Sequence, residues 1–501
     1  MATMGAITMS TSLMPRMSSS SPPSSSPSFT PLESPTPSLS SLPVRPLPGS
    51  YGLPLIGPLW DRLDYFWFSG QDKFLRKRMD KYKSSVFRTN IPPSFPFFKK
   101  TNPKMIAVLD VKAFKSLFDM DVVEKRDVLI GDYMPSTSFT GNMRVGVYLD
   151  PSEPKHSQVK EFCTDILKRG SKQWVPELLT NLDTMWNTIE KDVTEKGSST
   201  FVFPLQKAMF RFLTKAIVGA DPLPSLGENA YISFDLWLAL QILPTQPINI
   251  LQPLEEIFLH SFSYPFFLVQ SGYQKLYNFI KTEGQDVVRR GVSDFGLSED
   301  EAIHNLLFVL GFNAFGGFSV FLPVLLGNLG NDQTGLQTRL REEVRSKIDP
   351  TRPISFDSVS ELELVQSFVY ESLRFQPPVP AQYARARKDF VLYSHEAGFS
   401  VKKGELLFGY QPLAMRDAKV FDEPERFVAD RFTEWKGGRG LLEYLYWSNG
   451  PQTGSPSSAN KQCAAKDHVV FTACVIVADL FRRYDSFVGT SGSITAIEKA
   501  K

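Results

Sequence analysis

The strongest constraint on the fold is a long uncharged run near the middle of the sequence. Residues Leu306 to Gly327 contain no charged side chain, and the run is long enough to cross a bilayer as a helix. The alternative is a helix buried at the centre of a large globular protein. Asn313, the Gly316-Gly317 pair and Pro323 favour the buried helix, and no second run of this kind occurs. We therefore predict no transmembrane span, so that any membrane association is peripheral.

Residues 1–45 differ in composition from the rest of the chain. They are rich in serine and proline, with Glu33 as the one acid and Arg16 and Arg45 as the basic residues. A serine-rich, acid-poor leader without a continuous apolar core is typical of a transit peptide, and the scarcity of arginine favours plastids over mitochondria. The alternative is a disordered tail. We predict a plastid transit peptide over residues 1–45 and a single catalytic domain over residues 46–501.

Net charge and cysteine content exclude two classes of protein. The net charge is +2, which does not indicate a nucleic-acid-binding surface. Cys163, Cys463 and Cys474 are too few for a disulfide scaffold and suit a reducing compartment. Helical patterns dominate from residue 46 onward, with short strand-like runs such as Met105 to Leu109 and Phe390 to Tyr393. The sequence therefore predicts an α+β fold that is mainly helical with small β-sheets, and no nucleic-acid partner.

Three short motifs follow the uncharged run along the chain, and the first two contain arginine. Glu371 and Arg374 lie at i and i+3 on one helix face and can pair. Pro424-Glu425-Arg426-Phe427 comes next, before a cysteine. A buried guanidinium needs carboxylate or carbonyl partners, so we expect Glu371 to accept hydrogen bonds from both Arg374 and Arg426. Taken alone, each motif is more typical of an exposed pair on the surface.

The third motif is a loop that carries Cys463 and leads into a helix. It runs from Trp447 to Ala465, and the helical run Val469 to Phe481 follows. A thiolate at the start of a helix faces the positive end of the helix dipole, and Lys461 adds positive charge. Such a thiolate is a suitable axial ligand for haem iron. The alternative is a small buried cysteine, which is the interpretation that we give to the other two.

The order of these motifs resembles that of the cytochrome P-450 superfamily, over essentially the whole chain after the leader. The resemblance implies the cytochrome P-450 fold, a single large domain that binds haem b with Cys463 as the thiolate ligand of the iron. One departure is a longer stretch between Gly450 and Cys463. Another is that residues 311–319 contain neither the acid nor the threonine with which oxygen-splitting members relay protons. A site without that relay still suits a substrate whose O–O bond already exists.

These departures are similar to those of the plant fatty-acid hydroperoxide branch, which includes allene oxide synthases, hydroperoxide lyases and divinyl ether synthases. Residues 148–156, the segment around Asn313 and residues 460–467 carry the resemblance. It implies a plastid enzyme, at the envelope or the thylakoid, that needs neither oxygen nor a redox partner.

Within this branch the sequence looks more like the lyases than like the allene oxide synthases. The resemblance implies that a 13-hydroperoxide of linolenic or linoleic acid is split into a six-carbon aldehyde and a twelve-carbon oxo acid, by homolytic O–O cleavage and through a hemiacetal. Allene oxide or divinyl ether synthesis is the first alternative, and a reductase-dependent monooxygenase is the second.

The same resemblance assigns roles to individual residues. Asn313 is expected to hydrogen-bond the hydroperoxide, and Gly316 and Gly317, on the same helix face, to let the helix approach the porphyrin. Leu129 stands where allene oxide synthases have a phenylalanine, and we expect it to direct the product. The alternatives are a satisfied buried amide or a helix kink for Asn313, and simple packing of the pocket wall for Leu129. Four cationic or donor side chains are expected to contact the haem propionates: Lys125, His156, Lys160 and Lys461.

Overall fold

The structure is a computed structural model that describes residues 42–94, 98, 100–246 and 259–500. Residues 1–41, which hold most of the predicted leader, lie outside the described residues. Val44 and Arg45, at the end of that leader, form a short strand that pairs in parallel with residues 398 and 399. The folded part therefore begins no later than Val44.

Short strands form three small sheets. The five-stranded sheet has the order β2-β3-β8-β5-β4, the three-stranded sheet the order β1-β7-β6, and β9 pairs with β10 as a hairpin. β3 and β8 are parallel, with Met105 opposite Leu406, and their apolar runs are buried, which suits strands at the middle of a sheet. The two strand-like runs predicted from the sequence are β3 and β6. The strands are β1 (Val44–Arg45), β2 (Val86–Asn90), β3 (Lys104–Val108), β4 (Val123–Glu124), β5 (Ala381–Ala386), β6 (Phe390–Tyr393), β7 (Gly398–Val401), β8 (Leu406–Tyr410), β9 (Tyr484–Gly489) and β10 (Ile494–Lys499).

Helices make up most of the regular structure, which confirms the prediction of a mainly helical α+β fold. The longest, α4, has Pro154 in its first turn and ends at Gly197, whose φ of 75° is favourable for glycine. The α-helices are α1 (Ile56–Leu63), α2 (Gln71–Tyr82), α3 (Val111–Phe114), α4 (Pro154–Lys196), α5 (Val202–Val218), α6 (Leu223–Leu226), α7 (Tyr231–Ile242), α8 (Gln270–Glu283), α9 (Gln285–Ser293), α10 (Glu299–Phe308), α11 (Gly316–Gly330), α12 (Leu336–Lys347), α13 (Phe356–Ser360), α14 (Glu363–Phe375), α15 (Gln411–Ala414) and α16 (Lys466–Arg483).

The uncharged run forms the central helix of the molecule. Ser298 and Glu301 form a capping box at its start, and α10, a π-helical segment (Val309–Phe315) and α11 follow one another without a break. In the described part of the chain it is the one helix long and apolar enough to cross a membrane. Leu307, Leu322 and Leu325 are nevertheless completely buried, and α11 packs against α5, α14 and β9. The run therefore lies in the protein core, as the buried-helix interpretation predicts.

Candidate functional site

The central helix is widened where Asn313 lies. Val309–Phe315 is π-helical, and π-helical turns occur frequently at functional sites. The Asn313 side chain is exposed although its helix crosses the core, and apart from its chain neighbours and the backbone of its own helix no atom lies within 4 Å of the position that a Cβ on Gly317 would take. Asn313 and Gly317 therefore border open space inside the fold.

Gly316 does not share that face, which corrects the prediction that Asn313, Gly316 and Gly317 lie together. A Cβ on Gly316 would come within 2.6 Å of the Leu238 side chain on α7, so Gly316 lies on the side that packs against the neighbouring helix. The prediction assumed regular α-helical spacing, whereas the π segment before Gly316 places an extra residue in each turn.

Cys463 lies just before the first turn of α16. Its backbone N–H donates to the Ser448 carbonyl at 2.8 Å, and its own carbonyl accepts from the Lys466 N–H at 3.2 Å. The loop before it is held by the Gln462 side-chain amide, which donates to the Pro451 carbonyl at 2.6 Å. Asn449 has a left-handed backbone conformation with a φ of 62°, and its side-chain amide donates to the Lys461 carbonyl at 2.9 Å. These contacts fix the position of the thiol at the helix N-terminus.

Opposing effects act on the Cys463 thiol. The pKa of Cys463 is raised, because burial outweighs the Lys160 ammonium, a hydrogen bond from the Ala465 N–H and the Lys466 ammonium, which lower it. The thiol therefore has a cationic and hydrogen-bonding environment that favours a thiolate once a metal replaces the proton. Cys474, by contrast, is completely buried in the middle of α16, and burial raises its pKa beyond the physiological range.

The four side chains expected at the haem propionates lie close to the cysteine loop. Lys461 Nζ donates to the carbonyls of Gly146 and Leu149 at 2.8 and 2.9 Å. Lys160 Nζ donates to the Gln462 carbonyl, and the His156 ring nitrogen Nδ1 lies 3.1 Å from the Ser458 carbonyl oxygen. Lys125 Nζ donates to the Tyr383 carbonyl at 2.6 Å. Within the described residues, none of the four cationic groups has a carboxylate partner in an ion pair.

Burial and mutual repulsion disfavour the charged forms of these side chains. Burial, and then repulsion from Lys461, lowers the pKa of Lys125 to about 7, and burial, and then repulsion from Lys160, lowers the pKa of Lys461 to about 7. Burial lowers the pKa of His156 to about 4. The nearby Asp150 carboxylate accepts hydrogen bonds from the Lys125 backbone N–H and from Arg387. A bound group with two carboxylates would relieve the repulsion, so these residues fit a haem with its propionates toward the cluster.

Leu129 lies in the loop that links Lys125 to the rest of the site. It is half-buried and packs against the main core. Asp127 fixes the loop, with a φ of 47°, a backbone N–H that donates to the Tyr148 carbonyl at 3.0 Å and a carboxylate that accepts from Arg144 at 2.8 Å. The described contacts leave both the pocket-wall role and the product-directing role of Leu129 open.

The first arginine motif forms a buried cluster. Glu371 and Arg374 are both 0% exposed, and Arg374 donates through Nε and Nη2 to the two carboxylate oxygens at 2.7 and 2.8 Å. Arg374 Nη1 also donates to the carbonyls of Met415 and Pro424. The Val428 backbone N–H donates to Glu371 at 2.8 Å. The cluster therefore ties α14 to the segment that precedes the cysteine loop.

The second guanidinium on Glu371 belongs to Arg431, not to Arg426, which corrects the prediction. Arg431 Nε donates to both Glu371 oxygens at 3.1 Å, and this side chain is 6% exposed. The Arg426 side chain is 60% exposed and pairs with Glu423, and only its backbone carbonyl reaches the cluster, where it accepts from Arg374 and Arg431. Two Arg-Phe dipeptides stand five residues apart, and nothing in the sequence distinguishes the buried arginine from the exposed one.

Two comparisons place this fold among known proteins. The cytochrome P450 family model matches residues 132–453, and the match ends inside the loop before Cys463. The chain is 60% identical over 469 residues to the chloroplastic fatty acid hydroperoxide lyase of Solanum lycopersicum, covering 93% of this chain and 98% of the relative.

Two further relatives cover most of the chain. It is 57% identical to the chloroplastic linolenate hydroperoxide lyase of Arabidopsis thaliana, covering 98% of this chain and 100% of the relative. It is 45% identical to the chloroplastic allene oxide synthase of Linum usitatissimum, covering 90% of this chain and 84% of the relative. Together with the Cys463 loop and its cationic cluster, these similarities establish that the chain belongs to the cytochrome P450 family of haem-thiolate proteins.

Proposed function

We propose that this chain is a fatty-acid hydroperoxide lyase. It cleaves 13-hydroperoxides of linolenic or linoleic acid into a six-carbon aldehyde and a twelve-carbon oxo acid, without oxygen or a reductase. The observation that carries the proposal is the face of the central helix that borders open space. The Asn313 amide lies on this helix face. Residues 311–319 contain no acid or threonine that could relay protons to oxygen. The higher identity to the lyases, at 57–60%, than to the allene oxide synthases, at 40–45%, supports the same conclusion.

The cofactor is haem b, with Cys463 as the thiolate ligand. When bound, the haem supplies the iron that cleaves the O–O bond homolytically. Lys125, Lys160 and Lys461 would hold its propionates as cations and the neutral His156 as a hydrogen-bond donor, because none of these four side chains has a carboxylate partner in an ion pair within the described residues. The hydrogen bond from the Ala465 N–H to the sulfur stabilises the thiolate.

Asn313 binds and orients the substrate hydroperoxide. Its amide donates to one peroxide oxygen and is fixed by a helix rather than by a loop, so the reacting group is held in one geometry. Phe312, the half-buried neighbour of Asn313 in the sequence, adds apolar surface there that excludes water from the reacting carbon chain. Leu129 offers no aromatic face that would stabilise an electron-poor carbon centre, so the carbon radical rearranges to the hemiacetal instead of losing an electron.

The protein is located in the chloroplast, in keeping with the chloroplastic relatives and with a serine-rich transit peptide that ends before the strand Val44–Arg45. Its association with an envelope or thylakoid membrane is peripheral and uses an exposed apolar surface. Trp60, on α1, is 61% exposed. The Phe66 ring stacks on His260 at 3.8 Å between centroids, so the segments that contain Phe66 and His260 lie side by side. The other exposed apolar side chains there are Leu53, Leu55, Ile56, Leu59, Trp67, Phe68, Phe262, Phe267 and Leu268.

The test of this function is turnover under exclusion of oxygen and reductant. Purified haem-loaded protein is mixed with linolenate 13-hydroperoxide, and the conjugated-diene absorbance is followed. Loss of the diene within seconds supports hydroperoxide chemistry. Loss that begins only after a reductase and oxygen are added would make the protein a monooxygenase.

A further inference from the structure

A row of aromatic rings connects the candidate site with the protein surface. Beside Asn313 lies Phe312, which stacks on Phe308 at 4.6 Å between centroids, and Phe308 packs edge-on against Trp237 at 5.9 Å. Trp237 also contacts the central helix itself, because a Cβ on Gly311 would lie 3.1 Å from its ring. Trp237 is therefore a buried, oxidisable ring against the helix that bears Asn313.

The row continues from Trp237 to the surface through two tyrosines. Trp237 stacks on Tyr273 at 5.8 Å, and Tyr273 stacks on His304 at 5.8 Å. His304 lies 5.1 Å from the ring of Tyr277, which is half-buried. Neighbouring ring centroids are thus between 4.6 and 5.9 Å apart along the whole row, and separations this short permit electron transfer from ring to ring.

Each tyrosine of the row has its own proton acceptor. The Tyr273 hydroxyl lies 2.6 Å from His304 Nδ1 and donates to it when the imidazole proton is on Nε2, and the Tyr277 hydroxyl donates to the exposed carboxylate of Asp300. Burial lowers the pKa of His304, so its imidazole is neutral in the resting protein and one ring nitrogen carries no proton. A phenol that loses an electron becomes a strong acid, so a hydrogen-bonded base makes its oxidation easier. Packing alone would be served as well by phenylalanine, which has no polar group to bury.

We propose that Trp237, Tyr273 and Tyr277 form an electron-transfer path that protects the site when a hydroperoxide is cleaved without forming the lyase product. The path rests on the proposed function, because the hydroperoxide at the haem is the oxidant. One hydroperoxide and two tyrosines give one alcohol, one water and two tyrosyl radicals. The O–O bond breaks, and each tyrosine loses one electron and one proton. Tyr273 passes its proton to His304 and Tyr277 to Asp300, and the two protons consumed at the site equal the two released.

The aromatic residues divide into two roles in this path. Trp237 passes the electron on without losing its ring proton, because its indole N–H is hydrogen-bonded to the Phe139 carbonyl, which is not a base. Phe308 and Phe312 fill the space between the tryptophan and the site and are not oxidised. One radical therefore lies on the buried Tyr273 and the other on the half-buried Tyr277, both beyond Trp237 in the row as counted from Asn313.

The test uses electron paramagnetic resonance on freeze-quenched holoenzyme. The oxidant is cumene hydroperoxide, which has no acyl chain and cannot undergo the lyase rearrangement. We expect the wild-type protein to give an organic radical signal that narrows when the protein carries ring-deuterated tyrosine. The double variant Tyr273→Phe/Tyr277→Phe is expected to lose this signal, and its haem absorbance to bleach faster. Trp237→Phe, which keeps a ring in place, is expected to lose the tyrosyl signal as well.

A matched control is available at Tyr484, which is not part of the row. Tyr484 also contacts a tryptophan, Trp186, at 5.6 Å and donates to the Glu190 carboxylate at 2.8 Å, but it lies at the start of β9. Tyr484→Phe is expected to keep the signal. A wild-type protein without a tyrosyl signal, or a double variant with the wild-type signal, overturns the path. Radical formation without any aldehyde from linolenate 13-hydroperoxide would refute the lyase and leave the path standing.

Discussion

Cys463 and Cys474 are two thiols at the same helix with opposite surroundings. Cys463 precedes α16, and its sulfur accepts a hydrogen bond from the Ala465 N–H, whereas Cys474 is enclosed by apolar side chains of the core. We expect Cys463→Ser to lose nearly all hydroperoxide turnover and the absorbance of thiolate-ligated haem, because an alcohol oxygen replaces the thiolate very poorly. Cys474→Ser, the matched control, should keep that spectrum. A thiolate-type spectrum in Cys463→Ser would assign the ligand elsewhere.

Asn313 is tested by removing its amide while keeping the haem. Asn313→Ala is expected to bind haem normally but to turn over linolenate 13-hydroperoxide about a hundredfold more slowly, because one positioned hydrogen bond at the reacting group is lost. Asn305→Ala serves as the comparison, since Asn305 accepts the Gly146 N–H at 2.9 Å and should affect stability rather than chemistry. An unchanged rate in Asn313→Ala would mean that the amide is structural.

We propose that Leu129 directs the product. Leu129→Phe is expected to shift products from aldehydes toward ketols derived from an allene oxide, because an aromatic face stabilises the electron-poor carbon centre. The products are separated and identified by mass spectrometry. Slower turnover that still yields only aldehydes would reduce Leu129 to a packing role, with Ile130→Phe showing the effect of added bulk alone.

At the scale of elements, the Glu371 cluster joins α14 to the segment before the cysteine loop. Arg431→Ala removes a buried partner of Glu371 and is expected to cost about 3–5 kcal/mol of unfolding free energy. Arg426→Ala changes an exposed side chain and should stay within about 0.5 kcal/mol. Thermal and denaturant unfolding of the two haem-loaded variants measures the difference. Equal stability of the two would show that the second guanidinium contributes nothing.

In the same cluster, one of the two arginine partners of Glu371 could be predicted from the sequence and the other could not. The i, i+3 spacing of Glu371 and Arg374 was sufficient to predict their pairing, because both lie on one helix. The second arginine that donates to Glu371 could not be predicted from the sequence. The conformation of the loop decides whether the Arg426 or the Arg431 side chain is buried against Glu371. The π-helical segment was not predicted either, because the apolar pattern of residues 309–315 fits both an α-helix and a π-helix. The faces of Gly316 and Gly317 depend on that segment.

At the scale of the whole molecule, the exposed apolar surface around Trp60 predicts peripheral membrane binding. Trp60→Ser combined with Phe267→Ser is expected to weaken co-flotation with vesicles of plastid-type lipids, because tryptophan and phenylalanine favour the membrane interface. Trp435, 57% exposed at a different place in the chain, gives the control Trp435→Ser, which should bind as the wild type does. Equal flotation of both variants would exclude this surface.

Motif order and composition were sufficient to predict the mainly helical fold, the family and the buried central helix. The reaction depends on finer features, namely which atoms reach the open space beside Asn313 and what happens to the radical there. These features arise from contacts between distant segments, so the sequence suggested them only through resemblance.

The most direct test of the lyase assignment follows the oxygen atoms. Linolenate 13-hydroperoxide labelled with oxygen-18 at both peroxide atoms is incubated with the holoenzyme without oxygen or reductant. Products are trapped at once by borohydride reduction and analysed by mass spectrometry. Because a hemiacetal keeps both oxygens and divides them on fragmentation, we predict one label in the six-carbon fragment and one additional label in the twelve-carbon acid. Labelled ketols in place of these fragments, or no reaction until a reductase and oxygen are supplied, would contradict the account.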